Sequence, residues 1–455
     1  MTKQENNDNR HRPNVPPLRF RGFTAPWQRK RLGDITTYSK GKGYSKNDLK
    51  DEGVPVILYG SLYTDYRSEI NDVNTFTDSS DGAILSRGGE VIVPASGETA
   101  EDIARASVVK AVNTIIGGDL NIIYPDSVID SLFLALEITY GQCHDALVKK
   151  AQGTSVIHLR SSDIEDVDCS FPSLAEQEKI GTFFRALDEL IAAREDELEK
   201  LRQMKAALLE AMFPNDASVE RERERVTSAT AHTLYDSLLD HTLQAWDIVP
   251  TETSTPHTPR LRFRGFTDPW RRMQLGELGY WDKGQPLSKT DIDMLGIYPC
   301  IHYGELFAYS EIINKVVSRT SITPVVLSSG NDILFPDSDV TPDGLGRCSA
   351  LSIKDVILGG GINILRLTNN VRAPFCSLNI IKNRKQIIDR VTGTTVRHIN
   401  SNALSEILIS LSPSLAEQEQ IGAFFRSQDE RIATAIEQID KLKKIKQACL
   451  KQMFV

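Results

Sequence analysis

The sequence predicts an α/β (α+β) protein in which two globular domains are joined by two long α-helices that form an antiparallel coiled coil. Three observations support this fold class. The chain repeats itself once, each repeat ends in a long heptad pattern, and short apolar runs punctuated by glycine fill the rest of each repeat. A chain of 455 residues is also too long for one ordinary core. We therefore expect an internal pseudo-twofold repeat of one domain and one helix.

The repeat is strongest at the two ends of each copy. The segment LRFRGFTAPWQRKRLGDI (residues 18–35) matches LRFRGFTDPWRRMQLGEL (residues 261–278) at twelve of eighteen positions. The segment SLAEQEKIGTFFRALDELIA (residues 173–192) matches SLAEQEQIGAFFRSQDERIA (residues 414–433) at fifteen of twenty positions. The offset between the copies stays within 240 to 244 residues, yet the sequences between these anchors are barely alike. This pattern indicates one scaffold that carries two different specificities.

The anchors also define the predicted domain boundaries. The segment between the copies opens with a charge run and closes with Thr, Ser and Pro, which is typical of a linker, and HTLYDSLLDHTLQAW within it could form one short amphipathic helix. We predict a disordered tail over residues 1–17, a first domain over 18–171, a first spacer helix over 172–213, a linker over 214–258, a second domain over 259–412 and a second spacer helix over 413–455.

Each spacer helix begins with a capping box, Ser173-x-x-Glu176 in the first copy and Ser414-x-x-Glu417 in the second. Apolar residues then follow in steps of four and three for nearly six heptads, and Arg194 and Lys205 interrupt the first seam. The predicted seam residues are Ile180, Phe184, Leu187, Ile191, Leu198, Leu201, Ile421, Phe425, Ile432, Ile439 and Leu442.

A helix of some forty residues is a rod of roughly 60 Å, and a lone apolar stripe of that length needs a partner in water. The simplest partner is the other copy, in antiparallel orientation with one domain at each end. The alternative is two independent amphipathic helices, each packed on its own domain.

Basic residues gather at the start of each copy and in a glycine-containing loop that follows. They suggest phosphate contacts, while Asn, Gln, Arg and Lys are the residue types that recognise base edges. The start of each copy also contains Arg19 or Arg262. The alternative interpretation of this segment is a solvated strand whose Phe and Trp side chains lie in the core. The predicted DNA-binding residues are Arg29, Lys30, Arg31, Lys40, Lys42, Tyr44, Lys46, Arg271, Arg272, Lys283 and Lys289.

Other features exclude several classes of protein. The net charge of −8 argues mildly against non-specific nucleic-acid binding. No apolar run is long enough for a membrane span and the N-terminus has no signal-peptide core, so we expect a cytoplasmic protein. The six scattered cysteines are expected to be reduced and mostly buried. No phosphate loop, methyltransferase motif, nucleophile elbow or metal cluster stands out, so we expect no catalytic residues and no metal site.

The FRGFT-x-PW start and the SLAEQE helix, each present twice, resemble the specificity subunits of type I restriction-modification systems. The resemblance covers the chain from Leu18 onward. It implies that each diverged domain is a target recognition domain for one half of a bipartite, asymmetric site in double-stranded DNA. It also implies that the paired helices set the spacing and bind two modification (methyltransferase) subunits, with restriction subunits completing a complex that acts in phage defence.

The same resemblance implies that this chain is not an enzyme and binds no cofactor itself. S-adenosylmethionine, ATP and Mg would then be bound by the partner subunits. Two alternatives remain: a stand-alone, two-domain, sequence-specific DNA-binding protein, and a coiled-coil scaffold whose globular ends bind proteins.

Overall fold

The computed structural model describes residues 15–78, 82–153, 156–214, 236–251 and 258–454. The chain forms two compact units: unit 1 comprises residues 1–194 and 438–455, and unit 2 comprises residues 195–437. Most of the predicted tail, residues 1–14, and two parts of the predicted linker, residues 215–235 and 252–257, lie outside the described residues. Each unit therefore contains the body of one repeat, the start of its own spacer helix and the end of the other.

Unit 1 is built around a mixed five-stranded sheet whose strands run, in spatial order, Thr36–Lys40, Leu120–Pro125, Glu90–Pro94, Ser107–Val109 and Glu69–Ile70. A three-stranded sheet comprises Phe76–Thr77, Val54–Ile57 and Ile115–Ile116, and two ribbons pair Gln28–Arg31 with Asp168–Phe171 and Ile157–His158 with Ser96–Gly97. The short helices are Ser61–Thr64, Ala100–Ile103, Ser131–Tyr140, Gln142–Lys150 and Ser161–Glu165.

Unit 2 repeats this topology with different residues. Its five-stranded sheet runs Gly279–Lys283, Ile362–Leu367, Asp332–Pro336, Ser349–Leu351 and Ile312–Ile313. A four-stranded sheet comprises Arg319–Thr320, Tyr298–Ile301, Lys354–Leu358 and Leu327–Ser329, and ribbons pair Arg271–Gln274 with Leu408–Leu411 and Ser338–Asp339 with Arg397–His398. The helices of its body are Pro342–Leu345, Ala373–Lys382, Lys385–Ile388 and Ser401–Ser405. The shared strand order confirms the repeat inferred from the short sequence anchors.

The two spacer helices are Leu174–Met212 and Leu415–Met453. In unit 1 the ring of Phe454, just beyond the end of the second helix, packs 6.0 Å from the ring of Phe184 near the start of the first. In unit 2 the ring of Phe213, just beyond the end of the first helix, lies 6.3 Å from that of Phe425 near the start of the second. Within each unit the start of one helix meets the end of the other, so the predicted antiparallel pairing is confirmed.

The described buried apolar residues of each unit form more than one cluster. In unit 1 the helix Ser131–Tyr140 is almost entirely buried, and Trp27, Phe133 and Phe454 meet there. The opening tryptophans Trp27 and Trp270 are both buried, as the core interpretation expects. All six cysteines are free; Cys449 is half-buried and the other five are buried. Among the described residues, no helix combines the length and the apolar character needed to span a bilayer.

One segment of unit 2 has no described counterpart in unit 1. Residues 236–250, which we call the strap, lie within the predicted linker and form a helix, Asp236–Ala245, followed by a strand, Ile248–Pro250. That strand pairs antiparallel with Leu261–Phe263 at the start of the second repeat. The amphipathic helix expected inside the linker is therefore present, and it packs on unit 2.

Candidate nucleic-acid interface

The shared motifs at the two ends of each repeat meet in a buried ion pair. Arg19 donates to both oxygens of Glu176, over 2.8 Å to Oε1 and 2.6 Å to Oε2. In unit 2, Arg262 donates to Glu417 over 2.7 and 2.8 Å, and Trp270 Nε1 donates to the same carboxylate over 3.0 Å. The side chains of Arg262 and Glu417 are 4% and 0% exposed, so two parallel hydrogen bonds compensate for burying the charges.

These ion pairs correct two sequence interpretations. The glutamates of the predicted capping boxes bind arginine, although Ser414 Oγ still accepts the N–H of Glu417 over 3.3 Å. Arg19 and Arg262 face the core side of the segment, so they are not available to phosphate. The arginine and its glutamate lie more than 150 positions apart, so no local signal could have linked them.

The glutamine of each SLAEQE motif holds the helix start onto its domain. Gln177 accepts the N–H of Asp130 over 2.8 Å and donates to the carbonyls of Val128 and Pro172. Gln418 makes the equivalent contacts, including acceptance of the Arg372 N–H over 2.8 Å. The motif is thus an internal clamp that orients each spacer helix relative to the body of its own unit.

The predicted DNA-binding residues at the start of each copy lie on the exposed strand of a two-stranded ribbon in each unit. Arg29, Lys30 and Arg31 belong to strand Gln28–Arg31, in which all four side chains are exposed. Arg29 pairs with Asp168 at 3.0 Å and Arg31 pairs with Asp166, so acids of the same unit partly neutralise this ribbon.

In unit 2, Arg271 and Arg272 occupy the equivalent strand, Arg271–Gln274, and are likewise exposed. They lie opposite Leu411 and Ser410 on the neighbouring strand.

The remaining predicted residues lie on one loop in each unit, residues 40–48 in unit 1 and 283–291 in unit 2. Lys40 and Lys283 end the edge strand of the five-stranded sheets, and Lys46 and Lys289 begin short 3₁₀ helices. We call these two segments the basic loops. Lys40, Lys42 and Lys46 are exposed and make no ion pair among the described residues, whereas Lys283 lies 3.3 Å from Asp337. Tyr44 is half-buried and has a positive φ of 59°.

Glycine contacts fix the position of both basic loops. A Cβ on Gly41 would lie 1.8 Å from the carbonyl oxygen of Gly117, and one on Gly284 would lie 1.7 Å from that of Gly359. Only glycine permits such an approach of two backbones. The repeated glycine runs GGD and GGG are therefore the platforms on which the loops rest.

A capping box then stabilises each basic loop. Asp48 accepts the backbone N–H of Ser45 over 2.7 Å, and Asp291 accepts that of Ser288 over the same distance. The backbone N–H and hydroxyl of Ser45 lower the pKa of the Asp48 carboxyl group, and the hydroxyl and backbone N–H of Ser288 lower that of Asp291. The Ser-Lys-x-Asp pattern at 45–48 and 288–291 is a local signal that sequence reasoning missed.

The side chains between these anchors differ between the units. Lys42 is exposed, whereas its counterpart Gln285 is buried and accepts the N–H groups of Val325 and Val326 over 2.7 and 2.8 Å. Asn47 and Thr290 also differ at equivalent positions. The two basic loops therefore share a backbone framework but present different surfaces.

The seam of the spacer helices is largely apolar and buried. Ile180, Phe184, Ile191, Leu198, Leu201, Ile421, Phe425 and Ile439 are buried, and Leu187, Ile432 and Leu442 are half-buried.

Two lysines occupy equivalent positions in that seam. Lys205 binds Asp429 and Glu311 within unit 2, and Lys446 binds Asp188 within unit 1. Burial alone would lower the pKa of Lys205, but the two carboxylates outweigh it and the pKa is raised.

One buried cluster in unit 1 combines possible metal ligands. Glu137, Cys143 and Cys169 are buried, with ligand atoms within 4.8 Å of one another. No fourth His, Cys, Asp or Glu among the described residues joins them, whereas a structural zinc site needs four ligands. Burial raises the pKa of Glu137 to about 8. The pKa of Cys143 is also raised, mainly by a hydrogen bond with Cys169 and to a smaller extent by burial. These shifts favour the protonated groups.

Two solved structures are similar to this chain over nearly its whole length. The type I restriction-modification S subunit from M. genitalium matches with a TM-score of 0.59 and 15% identity, over 97% of this chain and 99% of that one. The HsdS subunit from Thermoanaerobacter tengcongensis gives a TM-score of 0.41 and 15% identity, over 94% of this chain and 96% of that one. At these identities the similarity to the first structure establishes the fold alone.

A family model shows to which family this chain belongs. A sequence model described as the type I restriction modification DNA specificity domain matches twice, over residues 25–203 and 267–447. The first match contains the basic loop of unit 1 and the second that of unit 2, and each extends into its spacer helix. Because the two matches together cover more than half of the chain, the protein belongs to the type I restriction-modification DNA specificity family, whose role is DNA recognition.

Proposed function

We propose that the two units bind different half-sites of one asymmetric DNA sequence, and that the basic loops make the principal contacts. One observation supports this proposal most directly. Residues 40–48 and 283–291 share a glycine anchor, a capping box and two lysines, but the side chains between these shared positions differ. Shared lysines suit phosphate contacts, which position a protein on DNA without sequence preference. The differing side chains suit contacts with base edges.

The exposed ribbons would add a second set of phosphate contacts. Arg29 and Arg31 are 63% and 56% exposed although paired with acids, so the guanidinium groups can exchange those partners for phosphate. The net charge of −8 limits how tightly the chain binds DNA alone. We expect weak binding by the isolated chain, with an affinity that falls steeply as salt increases.

We further propose that the chain is non-catalytic and acts with two modification subunits, which bind the outer faces of the spacer helices. The starts of those helices, residues 173–192 and 414–433, are identical at fifteen of twenty positions, as expected if each binds a copy of the same partner. S-adenosylmethionine, and ATP with Mg in a complex that also contains restriction subunits, would be bound by the partners. The clamp from each SLAEQE motif to its unit would then transmit the position of a bound subunit to its half-site.

A domain exchange tests the division into half-sites. Residues 18–171 are replaced by the corresponding domain of a relative, the chain is co-expressed with its modification subunits, and methylated positions are mapped by sequencing genomic DNA. We expect one half of the methylated sequence to change and the other half to persist. The control replaces residues 259–412 and should change the other half.

Two results would contradict the proposal. A change in both half-sites from either exchange would show that neither unit recognises DNA independently. Sequence-specific binding by the lone chain that resists high salt would favour a stand-alone DNA-binding protein.

A further inference from the structure

The repeat places equivalent apolar side chains on one face of each unit. In unit 1 this face, which we call the open face, contains Phe20 and Phe183, whose rings lie 5.8 Å apart, and we assign Leu18 and Ile445 to it by their equivalence to residues of unit 2. In unit 2 the equivalent side chains, the covered face, are Leu261, Phe263, Phe424 and Met204. The two faces use the same opening motif and the same part of each spacer helix.

The two faces differ in exposure at every position. Leu18 and Ile445 are 40% and 41% exposed, and Phe20 and Phe183 are half-buried. On the covered face Leu261 is half-buried, and Phe263, Phe424 and Met204 are 4%, 0% and 2% exposed. Unit 1 thus leaves accessible a surface that unit 2 buries.

The strap accounts for the difference. The ring of Trp246 packs 5.2 Å from the ring of Phe424 and 6.5 Å from that of Phe263. Thr242 contacts Met204 through its hydroxyl, 3.6 Å from the sulfur. The strap strand pairs with Leu261–Phe263, whereas residues 18–20 pair with no strand among the described residues.

Charge at the edge of each face adds a further requirement. Asp247 of the strap accepts a hydrogen bond from Arg264 over 2.8 Å. The equivalent arginine of unit 1, Arg21, is exposed and makes no ion pair among the described residues. Lys179 also lies beside the open face, with its ammonium 5.3 Å from the centroid of the Phe20 ring. Both charges favour an acidic group on whatever binds there.

We propose that the open face of unit 1 is a docking site for a protein partner. The partner would supply an amphipathic helix that ends in an aromatic residue, followed by an acidic residue and a short extended segment. This is the chemistry with which the strap covers the equivalent face of unit 2. In unit 2 the strap occupies that position, so the repeated surface offers one such site per chain. This inference is independent of which bases the two units recognise.

Two other occupants fit the surface less well. Residues 2–14, TKQENNDNRHRPN, contain no large apolar side chain to match Trp246 or Ile248 of the strap. A second copy of this chain would have to supply its own strap, which is already packed on its own unit 2.

The test uses a fluorescently labelled peptide of residues 236–251 and the intact chain. We expect saturable binding of one peptide per chain, measured by fluorescence anisotropy. Ile445→Asp should weaken this binding at least ~10-fold, since about 1.4 kcal/mol of lost contact energy has that effect. Leu18→Asp should act alike and serves as a second variant if the first unfolds. The matched control is Ile436→Asp, an isoleucine of the same helix that is 38% exposed and lies outside the open face.

A charge reversal examines the acidic requirement. Arg21→Glu should weaken binding of the wild-type peptide, and a peptide carrying Asp247→Lys should regain binding to that variant. Equal binding to wild type and Ile445→Asp, or no binding at all, would overturn the proposal. So would peptide binding that appears only after deletion of residues 2–14, or a dimer in light scattering that Ile445→Asp dissociates.

Discussion

The ammonium group of Lys205 lies 2.6 Å from Oδ1 of Asp429, across the seam between the two spacer helices and 224 positions along the chain. Glu311 contacts the same ammonium at 2.5 Å. The pseudo-twofold counterpart of Lys205 is Lys446, which binds Asp188 in unit 1. Each lysine that interrupts the apolar seam therefore has a carboxylate on the opposite helix, and the two pairs specify one register for the helices.

Replacing Lys205 with methionine should destabilise unit 2 although it makes the seam more apolar. The change leaves Asp429 and Glu311 without their cation, and loss of one partner of a buried pair costs about 3–5 kcal/mol. Urea unfolding should show the loss. The double variant with Asp429→Asn and Lys205→Met should lose less free energy of unfolding than the sum of the losses in the two single variants. Lys200→Met is the control, because Lys200 pairs with Asp196 at an exposed site where removal costs at most ~0.5 kcal/mol.

Phe454→Ala should destabilise unit 1, although Phe454 lies at the far end of the chain. Its ring packs 5.6 Å from that of Phe133, and its removal leaves a cavity that costs about 3–5 kcal/mol. Hydrogen exchange should therefore quicken in helix Ser131–Tyr140. The matched variant, Phe213→Ala, should instead affect Ala373–Lys382, since Phe213 packs 5.4 Å from Phe375. The end of each spacer helix packs in the core of the domain that belongs to the other repeat. Faster exchange in the domain of the mutated residue's own repeat would contradict this arrangement.

The stability of unit 1 should fall as pH rises toward 8 because of Glu137. Burial raises its pKa to about 8, so the folded state retains a proton that the unfolded chain releases near pH 4.5. The contribution of Glu137 to the free energy of unfolding is therefore fully present below pH 4.5. It is lost as the pH rises through the pKa of the folded state, about 8. A tenfold change in proton affinity corresponds to about 1.4 kcal/mol, so the loss is at most about 5 kcal/mol.

The Glu137→Gln variant should remove this pH dependence, which thermal unfolding from pH 5 to 9 can measure. Unit 2 is the internal control, because it has Asn379 at the equivalent position, donating to the carbonyl of Ser410 over 2.5 Å. Unchanged pH profiles in wild type and Glu137→Gln would show that the buried carboxyl does not control the stability of unit 1.

Removing a lysine from a basic loop should reduce the salt dependence of DNA binding. Lys40→Ala, Lys42→Ala or Lys46→Ala should each lower the slope of log affinity against log salt by about 0.9, the value expected for one lost phosphate contact. Titrations of the assembled complex at several salt concentrations measure the slope. Lys200→Ala, on the spacer helix, should leave it unchanged. A slope that none of the loop variants alters would place the phosphate contacts elsewhere.

Several structural features followed directly from the sequence. The heptad pattern predicted that Ile180 and Ile421 face a helical partner, and both are buried. The core interpretation of the opening motif is confirmed for Trp27 and Trp270, which are buried, whereas Phe20 is only half-buried. These predictions succeed because helical periodicity and side-chain hydrophobicity are local properties that require no knowledge of the fold.

Charged residues were harder to interpret. Arg19 and Arg31 belong to one basic cluster, yet Arg19 is clamped on Glu176 and Arg31 lies on an exposed ribbon. Composition could not separate them, because the carboxylate that binds Arg19 is 157 positions away. The Ser-Lys-x-Asp caps of the basic loops, by contrast, could have been found from local sequence alone.

By itself the sequence determined that this protein contains one repeat twice and that each repeat ends in a long helix, and it favoured pairing of the two helices. Those conclusions depend on internal repetition and on a seven-residue period. Only the tertiary structure decided that Phe454 completes the core of unit 1, that Lys205 binds Asp429, and that the strap covers one copy of a repeated face and leaves the other open. Such contacts join residues far apart in the chain, and their energies depend on burial and distance that exist only after folding.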